Sequence, residues 1–553
     1  MSRRVAGAWA GTLGVVAAGS LLVSCGGAYR EQSAAAGAPE AATLSEPRSL
    51  DAGLLGNSVE SSPGVRAFKG IPFAAPPVGA LRWQAPQPVA KWDGVRDASK
   101  YGNVCIQPDG AARGPRGLNI AVAPGSPPMS EDCLYLNVWT GADAATERRP
   151  VMVYFFGGAF TEGAGSIPLY DGDALAQKGA VVVTMNYRLG PYGFFAHPAL
   201  TADSPHQASG NYGLADMVAS LRWVQSNIAV FGGDPSNVTV FGQSAGAMAI
   251  GSLVTSPETK GLFHRAIGQS GAWMGLGPSP AMTAGARAEE TGKRVADEAG
   301  VTTVEQLRAM STADVTAKFR SAGMIVDGWI IPEDPSAVFA DGRQNPVDVL
   351  VGSNRDDLSF APQNATPEQF EQRARARWGD LADQFLRLYP HATNEEASKS
   401  QADSSNDGAF WHMRWFADYQ KKQGRQAWLF YFAQNPPGSA GQPPLPAAHA
   451  SEIPYAFNNL GKPALFPDPS DPVLSAASAP DLKVADQMSS YWVNFARSGN
   501  PNGAGLPMWQ EHQVGGSERA IVLDAEPSSE QLPAKPRLEL VDKLYAQMQR
   551  GVQ

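Results

Sequence analysis

The sequence predicts an α/β fold built on a large, mostly parallel central sheet that is flanked by helices. Segments with an apolar residue at every third or fourth position, such as 214–231, have the spacing of helices that bury one side. They alternate along the chain with short runs that are apolar on both faces, as strands of a covered parallel sheet are. The predicted strands are residues 151–156, 180–187, 237–242, 348–354 and 427–433.

The length and charge of the chain narrow the class of protein. A chain of 553 residues can bury a large core, and its motifs fall at wide intervals, so we predict a single domain over residues 47–550. The formal net charge is −9 without a long basic run, which disfavours nucleic acid as a partner. Residues 280–345 are charged and helical in pattern and are predicted to form a cap or insertion over the sheet. Pro- and Gly-rich stretches at 108–128 and 435–447 are predicted surface loops.

The N-terminus has the pattern of an export signal. A positively charged start, "MSRR", precedes an apolar, small-residue run, so residues 1–24 are predicted to be a signal peptide. "LVSC", which ends at Cys25, resembles a bacterial lipobox, in which the cysteine becomes the lipidated first residue; simple secretion and a twin-arginine route are the alternatives. Residues 25–46 are rich in Ala, Gly and Ser and would form a flexible tether. We therefore expect an exported protein, attached to the cell-envelope membrane through Cys25 or secreted.

The two remaining cysteines form an even pair once Cys25 is lipidated. Export exposes thiols to an oxidising compartment, which favours a disulfide between Cys105 and Cys133. Two free buried thiols are the alternative.

The stretch "FGQSAGA" (241–247) joins a predicted strand to a predicted helix. Gly242 and Gly246 stand two residues on either side of Ser244, where larger side chains would collide in a sharp turn. Such a turn lifts the serine hydroxyl above the sheet and directs the amide of Ala245 and the helix N-terminus at a reacting group. We therefore predict that Ser244 is a nucleophile; a glycine-rich loop with an incidental serine is the alternative.

A nucleophilic serine needs a base, and the base needs an acid that orients it. On folds with this turn, the acid and then the histidine follow the serine in the chain. Of seven histidines, only His449 lies in a loop directly after the late strand predicted at 427–433, so it is the predicted base. Asp356 and Asp357 both follow the strand predicted at 348–354, and one could orient His449 while the other caps the next turn.

Several stretches resemble the type-B carboxylesterases, the cholinesterase-like branch of the α/β hydrolases. They are "FKGIPFAAPPVGALRWQAPQP", "EDCLYLNVWT", "NYRLGPYGFF", "FGGDPSNVTVFGQSAG" and "SPETKGLFHRAIGQSG". The likeness extends from about residue 50 to the C-terminus. It implies an α/β-hydrolase fold with helical cap insertions over the sheet.

The resemblance also implies the catalytic roles. Ser244 would be the nucleophile and His449 the base. The family's acid is usually the Glu of a D-E-G stretch, and here "RDDL" puts Asp357 in that position. The resemblance therefore favours Asp357 over Asp356, although Leu358 replaces the family's glycine.

The family's oxyanion hole corresponds here to the loop "YFFGGAF" (154–160) together with the residue after the serine. The resemblance implies that the backbone amides of Gly158, Ala159 and Ala245 would donate to the oxyanion. Small residues are needed because the backbone must come within hydrogen-bond reach of the developing charge.

The resemblance extends to four supporting positions. Ser270 and Glu452 match positions at which the family has polar groups near the histidine, with ordinary polar capping as the alternative. Cys105 and Cys133 match the family's first disulfide, in agreement with the cysteine count.

The function expected from these observations is serine-dependent hydrolysis of carboxylic esters through an acyl-serine intermediate, without a cofactor or metal. The cholinesterases that the chain resembles carry a tryptophan inside the first disulfide loop, where it binds choline esters by a cation–π contact. Residues 106–132 contain no aromatic residue, so the resemblance does not extend to this site. We therefore expect small to medium, uncharged, apolar esters as substrates. A lipase on longer acyl chains, an amidase and a non-catalytic cholinesterase-like binding module are the alternatives.

Overall fold

The computed structural model describes residues 44–46, 48–108, 127–271, 282–358, 364–438, 443–460, 477–515, 518–532 and 534–552. The predicted signal peptide, Cys25, the tether up to residue 43 and most of the loop predicted at 108–128 lie outside these residues. The described residues all fall within one unit, Ala42–Gln553.

The strands alternate with helices through most of the described chain. In chain order they are β1 (Arg48–Leu50), β2 (Gly53–Gly56), β3 (Val59–Ser62), β4 (Val65–Pro72), β5 (Val95–Asp97), β6 (Val104–Cys105), β7 (Met129–Ser130), β8 (Tyr135–Thr140), β9 (Arg149–Phe155), β10 (Val181–Met185), β11 (Gly233–Gln243), β12 (Arg265–Gln269), β13 (Asp348–Asn354), β14 (Ala427–Phe432), β15 (Arg519–Leu523) and β16 (Ser528–Gln531).

Eleven strands form the central sheet, in the order β16-β15-β14-β13-β12-β11-β9-β10-β8-β4-β3. The strands from β15 to β10 in this order pair in parallel. The outer strands, β16 at one edge and β8, β4 and β3 at the other, pair antiparallel. The predicted parallel sheet is thus confirmed for the centre, and the whole sheet is mixed.

The five predicted strands are β9, β10, β11, β13 and β14, and their bounds differ from the prediction mainly at β11, which begins earlier, at Gly233. Every residue of β10 and β13 is buried. This burial on both faces is what a continuous apolar run indicates.

Helices cover the sheet and connect its parallel strands. They are α1 (Asp173–Gln177), α2 (Gly190–Gly193), α3 (Pro198–Asp203), α4 (Tyr212–Asn227), α5 (Ala245–Thr255), α6 (Gly285–Glu298), α7 (Val304–Ala309), α8 (Thr312–Lys318), α9 (Pro335–Ala340), α10 (Pro367–Trp378), α11 (Ala382–Leu388), α12 (Asn394–Lys422), α13 (Ile453–Ala456), α14 (Ala479–Ser498) and α15 (Lys535–Val552). Helix α5 packs on β11 and β12, α12 on β13 and β14, and α14 on β9 and β11.

Helices α6 to α9 correspond to the region that the sequence predicts to be a cap or insertion. Helices α6 and α7 contact α3, and α8 contacts α2. A second apolar core, which includes Trp83, Phe195 and Phe319, fills the space between these elements. The insertion therefore shares a second, smaller core with α2 and α3, beside the main core on the sheet.

The short strands β6 and β7 pair beside a disulfide that joins Cys105 to Cys133, and both cysteines are buried. Among the helices of the described residues, we find none with the length and apolar character needed to cross a bilayer.

Candidate active site

Ser244 lies between the end of β11 and the start of α5. Its backbone has φ 54° and ψ −122°, a strained conformation for a residue with a side chain. Its amide donates to the carbonyl oxygen of Gln269 at 2.8 Å, and its carbonyl accepts from Met248 at 2.9 Å in the first turn of α5. These bonds hold the turn between the sheet and the helix in place.

The glycines on either side of Ser244 are required by the close approach of the neighbouring strand. A Cβ atom on Gly246 would lie 1.9 Å from the carbonyl oxygen of Phe155, and one on Gly242 would lie 2.7 Å from the same oxygen. Both distances are far below van der Waals contact. The turn therefore excludes any side chain at these two positions, as the sequence predicts.

The loop that follows β9 lies against the nucleophile turn. A Cβ atom on Gly157 would lie 3.0 Å from the Cβ of Ser244. The next two residues, Gly158 and Ala159, have φ angles of 114° and 52°, which turn the backbone sharply. The carbonyl of Gly158 accepts from Thr161 at 2.9 Å and so closes the turn. The structure thus brings this loop next to Ser244 and to the N-terminus of α5, where Ala245 lies.

His449 contacts Asp357 through its Nδ1 atom and the Oδ1 atom of the carboxylate. Asp357 is completely buried, and its second oxygen accepts the amide of Asn354 at 3.1 Å. Burial lowers the pKa of His449, but the charge and hydrogen bond of Asp357 outweigh it, so the pKa is raised above the ordinary 6.5. The pair therefore favours an imidazolium after proton transfer.

The carboxylate of Asp356 has partners other than His449. Its carboxylate pairs with the guanidinium of Arg355 at 2.8 Å and accepts the amide of Ala447 at 3.2 Å. Its side chain is one-third exposed, at 33%. Of the two adjacent acids, the structure brings only Asp357 to the imidazole.

Gln243 is a neighbour of the histidine that sequence reasoning did not single out. The Nε2 atom of its carboxamide lies 3.2 Å from Nε2 of His449. Because Gln243 directly precedes Ser244, this contact places the imidazole at the nucleophile turn. In the sequence, the only indication that Gln243 lies near the active site is its position inside the G-x-S-x-G pattern.

Glu452 forms a buried network behind the histidine. It accepts hydrogen bonds from the side chain of Gln269 at 3.1 Å and from that of Asn354 at 2.5 Å. Burial, together with the charge of Asp357, raises its pKa to about 7. Asn354 thus holds both Asp357 and Glu452, and sequence reasoning missed it because amides carry no charge signal.

Ser270, expected near the histidine with Glu452, faces a different environment. Its amide donates to the carbonyl of Gly352 at 2.8 Å, and its φ angle is 56°. Its buried Oγ atom makes no hydrogen bond to the residues that the structure describes, and Ser270 lines a cavity. The structure therefore places Glu452, rather than Ser270, in the network around Asp357.

One trio among the described residues has the geometry of a metal site. Ligand atoms of Asp418, His512 and Glu518 lie within 4.8 Å of one another. Lys535 pairs with Glu518 at 3.2 Å, and Arg414 lies 4.0 Å from Asp418. Within the trio, Nε2 of His512 also contacts Oδ1 of Asp418 at 2.6 Å.

A serine at positive φ, above the carboxyl end of a parallel strand and at the start of a helix, is the nucleophile turn of the α/β hydrolases. The imidazole and buried carboxylate at this turn define the class of protein as a serine hydrolase.

The chain belongs to the carboxylesterase family, whose model matches residues 50–541. It is 39% identical over 480 residues to the fumonisin B1 esterase of Sphingopyxis macrogoltabida, covering 85% of this chain and 86% of the relative. It is 36% identical to the para-nitrobenzyl esterase of Bacillus subtilis (strain 168), covering 85% and 93%. A solved PNB esterase structure has a TM-score of 0.71 and 32% identity, over 89% of this chain and 99% of that one. The protein is thus a carboxylic ester hydrolase that uses a serine, as the sequence predicts.

Proposed function

We propose that Ser244, His449 and Asp357 carry the ester hydrolysis as nucleophile, base and acid. The observation that carries this proposal is the contact of His449 with Asp357 on one side and with Gln243, next to the nucleophile, on the other. Geometry of this kind lets one imidazole take a proton from the serine while the carboxylate holds its tautomer.

The reaction has two acyl-transfer steps. In the first, Ser244 Oγ attacks the ester carbonyl while His449 Nε2 takes its proton, and the same imidazole then protonates the departing alcohol. In the second, His449 takes a proton from water, which attacks the acyl-serine and releases the carboxylic acid. The buried carboxylate of Asp357 stabilises the imidazolium in both steps without accepting its proton.

The amides of Gly158, Ala159 and Ala245 form the proposed oxyanion hole. The loop after β9 packs against Ser244, and α5 begins at Ala245, so both supply amides beside the reacting carbonyl. Preorganised donors stabilise the developing negative charge, and loss of one such donor typically costs about 10²–10³ in rate.

The proposed substrates have a small to medium apolar group next to the ester. A cavity that begins at Met248 and Gly271 offers apolar walls beside the nucleophile turn. The similarity to a para-nitrobenzyl esterase supports aryl and benzyl esters as test substrates. A lipase on long acyl chains is the second candidate, and a series of p-nitrophenyl esters of increasing acyl length separates the two.

Replacement of Ser244 by Ala tests the proposal. We expect hydrolysis of p-nitrophenyl acetate to fall at least about 10⁴-fold, because the covalent intermediate cannot form. The far-UV circular dichroism spectrum should not change. An organophosphate should label the wild type once per chain and leave Ser244→Ala unlabelled. Undiminished turnover, or labelling of the variant, would contradict the assignment.

We also propose that residues 1–24 are a signal peptide, that Cys25 is lipidated, and that residues 25–46 tether a domain over 47–550 to the envelope membrane. The charged start, the apolar run and the "LVSC" stretch support this arrangement, and so does a disulfide, which persists in exported proteins. The mass of the mature N-terminus tests it: a diacylglyceryl adduct on Cys25 is expected, and an unmodified cysteine would point to simple secretion.

A further inference from the structure

A cavity of about 450 Å³ lies between the nucleophile helix α5 and the helices α10 and α12. Cavities of a few hundred Å³ accommodate small organic ligands. We call it the arginine pocket, because Arg373 and Arg377 of α10 line it opposite Met248 of α5.

One end of the arginine pocket is next to the reacting serine. A Cβ atom on Gly271, which lines the pocket, would lie 2.3 Å from the carbonyl oxygen of Ser244. Leu358, also in its wall, directly follows Asp357 in the chain. The pocket therefore lies beside the backbone of the nucleophile turn.

One side of the pocket is apolar, while the side formed by α12 also carries polar residues such as Gln401 and Ser405. Phe370, Ala374 and Trp378 occupy one buried face of α10, and Phe385 of α11 stacks on Trp378 at a ring distance of 4.6 Å. This surface suits a hydrocarbon chain, since burial of apolar surface is favourable.

The two arginines place positive charge in the pocket. They are four residues apart on α10 and so project from one side of the helix. Arg373 contacts the carboxamide oxygen of Gln401 rather than a carboxylate. Among the described residues that line the pocket, none is Asp or Glu, so the positive charge is not neutralised within it.

A third arginine on the same helix provides a contrast. Arg375 pairs with Glu371 at 2.7 Å and with Asp383 at 3.1 Å, and it does not line the pocket. Among the described residues, Arg375 thus has ion-pair partners, whereas Arg373 and Arg377 have none.

We propose that the arginine pocket binds a carboxylate at the far end of the ester substrate, which favours esters that carry a carboxylate several carbons from the reacting carbonyl. The proposal rests on the proposed function, because it assumes that chemistry takes place at Ser244. Guanidinium groups match carboxylates in geometry and charge, and the apolar side of the pocket accepts the chain between the two ends. The proposed substrates thus remain apolar near the ester but carry an anionic group at their far end.

The expected size of the effect is modest. Both arginines are exposed, so water and salt screen their charge. A contact of this kind contributes up to about 1 kcal/mol, which corresponds to about five-fold in kcat/KM for each arginine.

The experiment compares substrates that differ only in the distal charge. One pair is mono-p-nitrophenyl suberate and the same ester with its free carboxylate capped as an N-methylamide. A second pair places the carboxylate on the leaving group, as the acetate ester of ω-hydroxyoctanoate and its N-methylamide. The anionic-to-neutral ratio of kcat/KM is measured for the wild type, R373Q, R377Q, the double variant and R375Q as the matched control.

In at least one pair, we expect the ratio to fall about five-fold in each single variant and further in the double variant, while R375Q keeps the wild-type ratio. Higher salt should lower the wild-type ratio but not that of the double variant. A ratio that is the same in the wild type and the double variant, for both pairs, would overturn the proposal. Hydrolysis of the neutral esters reports on Ser244 chemistry separately, so failure of the pocket and failure of the proposed function give different results.

Discussion

The choice between two adjacent acids is made by what each side chain touches. Asp357 is fully buried against His449 and the amide of Asn354, whereas Asp356 is partly exposed and paired with Arg355. A buried carboxylate orients an imidazole more strongly than an exposed one, because solvent does not screen its charge.

Exchange of each acid for its amide tests this difference. We expect Asp357→Asn to lower kcat for p-nitrophenyl acetate by about 10³–10⁴-fold, because the amide cannot stabilise the imidazolium. The residual activity should persist to lower pH than in the wild type, since loss of Asp357 removes what raises the pKa of His449. Asp356→Asn serves as the matched control and should keep most of the activity. A larger loss at position 356 would transfer the role of the acid to Asp356.

Glu452 gives a prediction for the dependence of stability on pH. Its pKa in the folded protein is about 7 against an ordinary 4.5, so the folded state holds this proton more tightly than the unfolded chain does. Its contribution to the free energy of unfolding is present below pH 4.5 and is lost as the pH rises to about 7, by on the order of 3 kcal/mol.

Replacement of Glu452 by Gln removes this titration and so isolates it. Urea unfolding of the wild type and the variant at a series of pH values gives the difference in free energy of unfolding. We expect this difference to shift in favour of the variant as the pH rises from 5 to 8, on top of a constant offset from altered hydrogen bonds. A difference that does not change with pH would contradict a raised pKa.

At the scale of elements, the strand–turn–helix unit of β11 and α5 depends on the empty space that glycine leaves. The backbone of Phe155, at the end of β9, approaches Gly246 so closely that even a methyl group would overlap its carbonyl. The helix and strand can therefore pack only if position 246 has no side chain.

We accordingly expect Gly246→Ala to displace α5 from β9 and to lower the rate of organophosphate labelling at Ser244 by at least about 10²-fold, because the amide of Ala245 moves with the helix. The melting temperature should fall as well, since a Cβ atom 1.9 Å from a backbone oxygen forces the structure to shift. Wild-type labelling kinetics and an unchanged melting temperature together would show that the turn tolerates a side chain.

The outer strands of the sheet are not predicted by the pattern of apolar residues in the sequence. Strand β16, Ser528–Gln531, contains no apolar residue, and β4 alternates buried and exposed positions only in part. Edge strands are held in the sheet by backbone hydrogen bonds to a neighbouring strand rather than by burial of their own side chains. The apolar runs therefore predicted five of the parallel strands, but not β12, β15 or the antiparallel edges.

At the scale of the whole molecule, the disulfide joins the end of β6 to the segment that leads into β8. Cys105 and Cys133 are 28 residues apart in the chain. Without the bond, the segment between them would gain conformational entropy in the unfolded state. A double Cys→Ser variant should lose about 3–4 kcal/mol in the free energy of unfolding, measured by urea denaturation under oxidising conditions. Added reductant should destabilise the wild type and leave the variant unchanged. Equal stability of the two proteins without reductant would show that the bond does not form.

The sequence by itself determined five of the parallel strands, the nucleophile turn and the position of the histidine in the chain. Each of these depends on local patterns: apolar residues on both faces of a strand, glycines at fixed spacing around Ser244, and the order in which His449 follows a late strand.

The tertiary structure alone decided the contacts between distant segments. It brought Asp357 rather than Asp356 to His449, placed Gln243 at the imidazole, joined Asn354 to Glu452, and set two arginines of α10 around a cavity beside Ser244. Such contacts depend on the direction of side chains and on the packing of elements that lie about a hundred or more residues apart, and local spacing in a sequence carries no information about either.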